Sequence, residues 1–442
     1  MVGIVKPRQE TLCHYGLQSI DHARENFEMT DYNDKKPLKI DWDDIPLYDQ
    51  LVLTENPSFC MLPWVHTHAY PDSTVHLCCM SDLDRPIGDL NDNTLEEIWH
   101  SERMVDIRRK MIDGIALPEC TKCYEQDKNG FMSGRVSANK HFGHHIAKAR
   151  SMEPPFEIVY WDVRFSNLCN FRCRTCGPLF SSNWYQDYIA LNQNSPNHSK
   201  VITANLPVEE CLKHIPYVEQ IYFAGGEPLM MAAHWEIIAE LIKQGRTDVK
   251  LIYNTNFSQL KYKQLSILDM WKEFDSVSIG ASLDGSGIRG EYIRKETVWK
   301  DIESNREQML RVCPDVDFYI SCTLSILNSY HMPDFHSEWI NKGLIKAQDF
   351  NVNILMNPPH YRIDNLPETN KEQIIDKYNK HIDYISPIDQ LQRATNGFKS
   401  AINFINQPSD RAMIEDFIKL TAKMDTIRNE SFTETFPEFV SL

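Results

Sequence analysis

Between residues 156 and 358 short apolar runs alternate with helical ones, and this alternation limits the possible folds more than any other feature of the chain. "IVYWDVRFS", "VEQIYFAGG", "VKLIYNT", "SVSIGASLD", "VDFYISCTLS" and "DFNVNILMNP" read as strands, while "AAHWEIIAELIKQG" and "TVWKDIESNREQML" place apolar residues at helical spacing. Strands separated by helices predict a parallel sheet with right-handed crossovers. A complete eightfold barrel takes about 250 residues, and only about 200 separate the first run from the last. The expected fold is therefore α/β, with a partial TIM-like (βα)6 barrel.

Chemistry-bearing residues fall after these runs. Cys169, Cys173 and Cys176 follow the first run, Gly225, Gly226, Glu227 and Pro228 the second, Asn254 to Asn256 the third, and Ser282 to Asp284 the fourth. The carboxyl rim of a parallel barrel is where active sites lie, so separate motifs become one candidate site. "NLCNFRCRTCGP" packs three cysteines as C-x3-C-x2-C, a spacing that can wrap thiolates around one cubic cluster. A fourth cysteine is missing locally, because Cys211 lies in the helical "PVEECLKHI". Three cysteines leave one iron open to an exogenous ligand, as catalytic metals keep an open position.

A second set lies upstream. "FCMLPWVHTHAYPDSTVHLCCM" alternates apolar and polar residues about a "YPDS" turn, predicting a hairpin with Cys60 at the start of one strand and Cys78 and Cys79 at the end of the other. A helix over "NTLEEIWHSERMVDIRRKMIDG", capped by Asn93 or Thr94 and stopped by Gly114, returns Cys120 and Cys123 to that hairpin. Cys60, Cys78, Cys120 and Cys123 suit a tetrahedral zinc or a [4Fe-4S] cluster equally on spacing. Cys79 points to the opposite face of a strand and reads as a spare. His141, His144 and His145 read as a solvated helix face rather than ligands, and Cys13 as an ordinary thiol.

The barrel motifs in combination resemble the radical S-adenosylmethionine (SAM) superfamily over about 156–358. The resemblance implies that SAM chelates the open iron of a [4Fe-4S] cluster held by Cys169, Cys173 and Cys176, and is split reductively to methionine and a 5′-deoxyadenosyl radical. It implies cosubstrate contacts from Gly225, Gly226, Glu227 and Pro228, from Asn256, Ser282 and Asp284, and from Arg294, for which Arg289 competes. Glu227 would accept from the methionine ammonium. The family's usual aromatic before the third cysteine is here Thr175, leaving Phe171 or Tyr222 for the adenine.

The upstream segment resembles the auxiliary-cluster domains called SPASM, and in its four-cysteine form the shorter twitch variant, although those commonly follow the barrel. This resemblance favours Cys60, Cys78, Cys120 and Cys123 as ligands of an auxiliary [4Fe-4S] cluster over zinc. It implies an enzyme that modifies or oxidises a peptide or small-molecule substrate, supplied by a flavodoxin- or ferredoxin-type electron donor. The alternative is a non-catalytic, zinc- or cluster-stabilised interaction protein on the same scaffold.

The expected organisation is an N-terminal arm (1–55), the auxiliary-cluster domain (56–130), a linker helix (131–155), the barrel (156–358) and a helical C-terminal extension (359–442). The helical extension carries no assignable chemistry. Asp162, Arg164, Tyr319, Asn328 and Asn357 read as possible substrate neighbours, with core or cap roles favoured. "GSGIRG" at 285–290 matches a dinucleotide-binding pattern but lacks the acid at the end of the next strand. An excess of 62 acids over 46 bases, for a net charge of −16, disfavours nucleic acid as a partner. With no secretory signal and no membrane-length apolar run, the chain is expected in the cytoplasm, where twelve cysteines point to metal rather than disulfides.

Overall fold

The computed structural model describes residues 40–128 and 132–439. Most of the expected N-terminal arm, Cys13 included, lies outside the described residues. The chain divides into two compact units: one gathers the residues up to Val163 with Ala204–Ile221, the other Arg164–Thr203 with the residues from Tyr222 onward.

In the first unit the end of the expected arm is a packed helix. α1 (Leu47–Thr54) buries Val52 and Leu53 in the core with Phe59, Trp64 and Val65. The hairpin forms as β1 (His66–Ala69) and β2 (Thr74–His76), with His68 opposite His76. Asp72 Oδ1 accepts from Thr74 N at 3.2 Å and from its hydroxyl at 2.8 Å, which fixes the "YPDS" turn. β3 (Gly88–Asp89) extends the pair. Cys60 is not at the start of a strand: a helical turn, Leu62–Val65, begun by Pro63, intervenes before β1.

The single helix expected over 95–111 is two. α2 (Leu95–Trp99) opens with a reciprocal Thr94–Glu97 capping box, and α3 (Glu102–Ile112) opens on Ser101, whose hydroxyl accepts from Met104 N at 3.3 Å. Arg108 makes the break tolerable by donating to Trp99 O at 2.9 Å, a carbonyl the interrupted helix leaves without a partner. Gly114, at φ +72°, ends α3. α4 (Thr121–Lys128) and α5 (Gly134–Phe142) follow, then a 3-10 segment, Gly143–Arg150. β4 (Tyr160–Val163) hydrogen-bonds in parallel with β1, His68 opposite Asp162, a pairing nothing in the sequence announces. This pairing is why the first apolar run falls with the N-terminal unit.

The second unit begins with β5 (Arg172–Cys173) and α6 (Trp184–Asn192). β6 (Gln220–Phe223) runs across the unit boundary into α7 (Ala232–Lys243) and β7 (Lys250–Thr255). A small hairpin, β8 (Lys261–Tyr262) and β9 (Leu265–Ser266), precedes β10 (Val277–Ala281). α8 (Gly287–Ile293), β11 (Arg294–Lys295) and α9 (Trp299–Val312) lead to β12 (Asp317–Leu324), α10 (Met332–Asn341) and β13 (Phe350–Ile354). The sheet order is β13-β12-β10-β7-β6, with β7, β10, β12 and β13 parallel neighbours. The molecule is thus mixed α/β with a predominance of parallel strands. Helices α11 (Glu368–Ile385), α12 (Arg393–Ile405) and α13 (Arg411–Arg428) follow β13 in the same unit.

Candidate metal centres

Polar side chains of the three-cysteine loop and of the helix that follows it hold the loop in place. Asn167 donates to Pro178 O at 2.8 Å and Lys200 O at 3.1 Å and accepts from Ile202 N at 3.0 Å. Ser182 Oγ accepts from Cys169 N at 3.2 Å, and Trp184 Nε1 donates to Cys173 O at 2.6 Å. Burial and mutual repulsion raise the thiols of Cys169 and Cys176, the latter to about 12. Burial raises Cys173 as well, against the pull of Arg294. Three buried neutral thiols side by side become thiolates only when a cation takes the place of their protons.

β11 brings Arg294 directly opposite Cys173 in an antiparallel pair. Its Nη1 lies 3.6 Å from Cys173 Sγ and its Nε 2.8 Å from Asp284 Oδ2. Arg289, the competitor for the same role, is committed to Glu438 at 2.6 and 3.0 Å. Asp284 is buried, and its other oxygen accepts from Thr323 N at 2.8 Å. Its carboxylate therefore ties β11 to the end of β12.

The "GGEP" stretch also faces protein. A Cβ on Gly226 would stand 2.2 Å from Leu168 O, so only glycine lets this segment lie against the cysteine loop. Gly226 N donates to Ser166 O at 3.2 Å and Glu227 N to Leu168 O at 2.7 Å. Glu227 accepts from Thr255 Oγ1 and Asn256 N, each at 2.7 Å, and from Leu229 N at 3.2 Å. Burial lifts its carboxyl to about 7 despite those donors. Its hydrogen-bond partners join the ends of β6 and β7. Pro228 is buried at the start of a 3-10 turn. Asn256 donates to Asn170 Oδ1 at 2.7 Å, which couples the "NTN" loop to the cysteine loop. Ser282 is half-buried and docks by its backbone on Thr255 O at 2.8 Å. Phe171 is wholly buried, and the Tyr222 hydroxyl accepts from Asn254 at 2.5 Å.

The other candidates separate. Asp162 pairs with His68 at 3.0 Å, both side chains fully buried. Asn328 donates to Asp284 O at 2.9 Å and Thr323 O at 3.0 Å, a capping role. Arg393 stacks on Tyr319 at 5.5 Å and Arg164 on Tyr222 at 6.0 Å.

The four upstream thiols lie within electrostatic reach of one another: Cys78, Cys120 and Cys123 all repel charge on Cys60. Burial drives Cys78 and Cys120 to about 12. Asn139, buried, accepts from Met61 N at 2.9 Å and donates to Phe59 O at 3.2 Å, holding the backbone on both sides of Cys60. Arg135 donates to Phe59 O at 3.0 Å and pairs with Asp127 beyond Cys123. Neither residue is flagged by any sequence motif. The Cys79 carbonyl takes the Tyr70 hydroxyl at 3.5 Å.

Residues 60–124 match the family model of SPASM, an iron-sulfur cluster-binding domain. This stretch is similar to the SPASM domain. It begins at Cys60, ends one residue past Cys123 and contains all four cysteines. Solved structures with similarity to the chain include native anSMEcpe with bound AdoMet, at 16% identity over 52% of this chain and 62% of that one, with a TM-score of 0.37. Another is Streptococcus suis SuiB bound to S-adenosylmethionine, at 11% identity over 65% and 64%, also at 0.37. SuiB bound to precursor peptide SuiA matches at 13% identity over 68% and 77%, at 0.36. The match spans somewhat less than two thirds of the length of the first of these. No curated protein matches the sequence.

Proposed function

We propose that this chain is a radical SAM enzyme with a SPASM-type auxiliary cluster. The observation that carries the reading is the pairing of a SPASM-like segment that contains Cys60, Cys78, Cys120 and Cys123 with a separate loop of only three cysteines, backed by the close approach of Gly226. Cys169, Cys173 and Cys176 would hold the open [4Fe-4S] cluster, on the partial barrel that the parallel strand order supports. When bound, that cluster supplies the electron that splits the sulfonium of S-adenosylmethionine, giving methionine and a 5′-deoxyadenosyl radical.

The chain's own residues prepare the site. Arg294 stabilises the Cys173 thiolate and is itself fixed by Asp284. Gly225 and Gly226 keep the loop backbone flat against the cysteines, and Pro228 redirects it. Glu227 locks the β6 and β7 loops together, which positions Asn256. We assign Gly225, Asn256 and Ser282 as direct cosubstrate contacts, with Glu227, Asp284 and Arg294 holding them in place. Cys60, Cys78, Cys120 and Cys123 would hold a cluster with no open position, suited to passing an electron rather than binding substrate. The substrate is a peptide or small molecule, and a flavodoxin- or ferredoxin-type donor supplies electrons. Among the described residues no helix is long and apolar enough to cross a membrane.

The test is chemical. Anaerobic protein with dithionite and SAM should release 5′-deoxyadenosine; Cys173→Ala should abolish release and Cys120→Ala should spare part of it. No 5′-deoxyadenosine from the wild type, or equal insensitivity of the two variants, refutes the reading.

A further inference from the structure

Two of the three histidines in "HFGHH" meet an acid from a distant part of the same unit. His144 and His145 lie in the 3-10 segment Gly143–Arg150, seated by buried Ile146 and Ala149. Glu219 comes immediately before β6, its backbone N–H donating to Val159 O at 2.8 Å. His144 Nε2 is 3.1 and 3.3 Å from the two Glu219 oxygens, and His145 Nε2 is 2.9 Å from Oε1. His141, read with them in the sequence, is elsewhere engaged, its Nδ1 2.8 Å from Ser137 O.

From this convergence we propose that His144, His145 and Glu219 form a zinc site distinct from either cysteine set. The donor set is chemically apt: two imidazole nitrogens and a carboxylate with a fourth position left for water is a recurrent zinc arrangement. Bonds of about 2.0–2.1 Å at tetrahedral angles put ligand atoms about 3.3 Å apart, within a few tenths of an ångström of the imidazole–carboxylate distances here. Each side chain is about a fifth exposed, so a hydrated ion can enter.

A plain ion pair accounts for the arrangement less well. The two rings are 4.2 Å apart, so charging both places like charges in contact over one carboxylate. The basic residues of the same segment are committed elsewhere, Lys148 to Glu157 and Arg150 to Asp49, each at 2.6 Å. A divalent cation between the two Nε2 atoms and the carboxylate removes the repulsion. The ion would staple the 3-10 segment to the entrance of β6 across 74 residues of sequence.

The experiment uses the full chain with its iron restored anaerobically, incubated with zinc chloride, desalted and assayed for zinc and iron together. Wild type should keep about one zinc per chain, bound through nitrogen and oxygen at about 2.0–2.1 Å by X-ray absorption. Glu219→Gln and His145→Ala should lose that zinc with iron unchanged. Glu219→His should keep it, since a third imidazole replaces the carboxylate, whereas it destroys an ion pair. Zinc absent from the wild type, equal zinc in Glu219→Gln, or sulfur at about 2.3 Å in the zinc shell overturns the proposal. The iron count reports separately on the cysteine sites.

Discussion

Arg174, fully buried between the second and third cysteines of the loop, donates Nη2 to Glu430 at 2.7 Å across 256 residues of sequence. The same nitrogen meets Asp425, which also accepts from the Tyr292 hydroxyl at 2.7 Å and from Phe432 N at 2.6 Å. The Arg174 guanidinium lies 3.9 Å from the Tyr292 ring centroid. Two residues earlier in the loop, Arg172 shares Asp187 with Arg428. The C-terminal helix α13 and the residues after it thus clamp the cysteine loop, although that tail carried no assignable chemistry in the sequence.

Removing Asp425 leaves Glu430 to balance Arg174 but strands the Tyr292 hydroxyl and Phe432 N–H. Asp425→Ala should cost about 1–3 kcal/mol, read as a lower urea midpoint, and should weaken iron retention. A midpoint within error of wild type would mean that the clamp contributes nothing.

Gly226→Ala should misplace the cysteine loop, because its Cβ would meet the backbone oxygen of Leu168, which no side-chain rotation can relieve. Iron bound at the three-cysteine site should fall sharply while the upstream site stays loaded. Full iron occupancy in that variant contradicts the packing role.

Arg108 donates to three carbonyls, Pro63 O and Trp99 O at 2.9 Å and Met152 O at 3.0 Å, and stacks over Trp99 at 4.7 Å. Arg108→Met keeps most of the volume but leaves those acceptors bare, at about 1–3 kcal/mol for each one stranded. Thermal unfolding should shift down by several degrees; an unchanged melt would show that water replaces the guanidinium.

Acid should destabilise the second unit through a buried histidine pair. His336 Nδ1 and His381 Nε2 are 2.9 Å apart, and burial lowers His336 to about 3, helped by its neighbour, and His381 to about 4. Unfolded histidine titrates near 6.5, so between about 6.5 and 3 the unfolded chain binds more protons than the folded one. Stability is therefore full above about pH 6.5 and falls as pH drops through that window. The urea midpoint should be lower at pH 5 than at pH 7.5, and His381→Phe should shrink the difference. An equal difference in the variant argues against the pair.

The sequence made legible what depends on short-range pattern. Strands formed on all six apolar runs, the first four of them followed by chemistry-bearing residues, and the hairpin formed about "YPDS". Spacing grouped the cysteines, but it left hidden what closes over them: the β4–β1 pairing, the Asn139 and Arg135 holds on Cys60, and the Arg174 clamp all join residues far apart in the chain. Glu227 and Asp284 each accept from backbone donors of a neighbouring loop or strand, contacts that no short motif announces. The split of the helix at Ser101 was visible only as one more N-cap residue.

Iron stoichiometry with the spectroscopic type of each cluster tests the two-cluster reading most directly. Anaerobically reconstituted wild type should carry about eight irons per chain as two [4Fe-4S] clusters, falling to about four in a Cys120→Ala, Cys123→Ala double variant. Near-zero iron with stoichiometric zinc on the cysteines would contradict it.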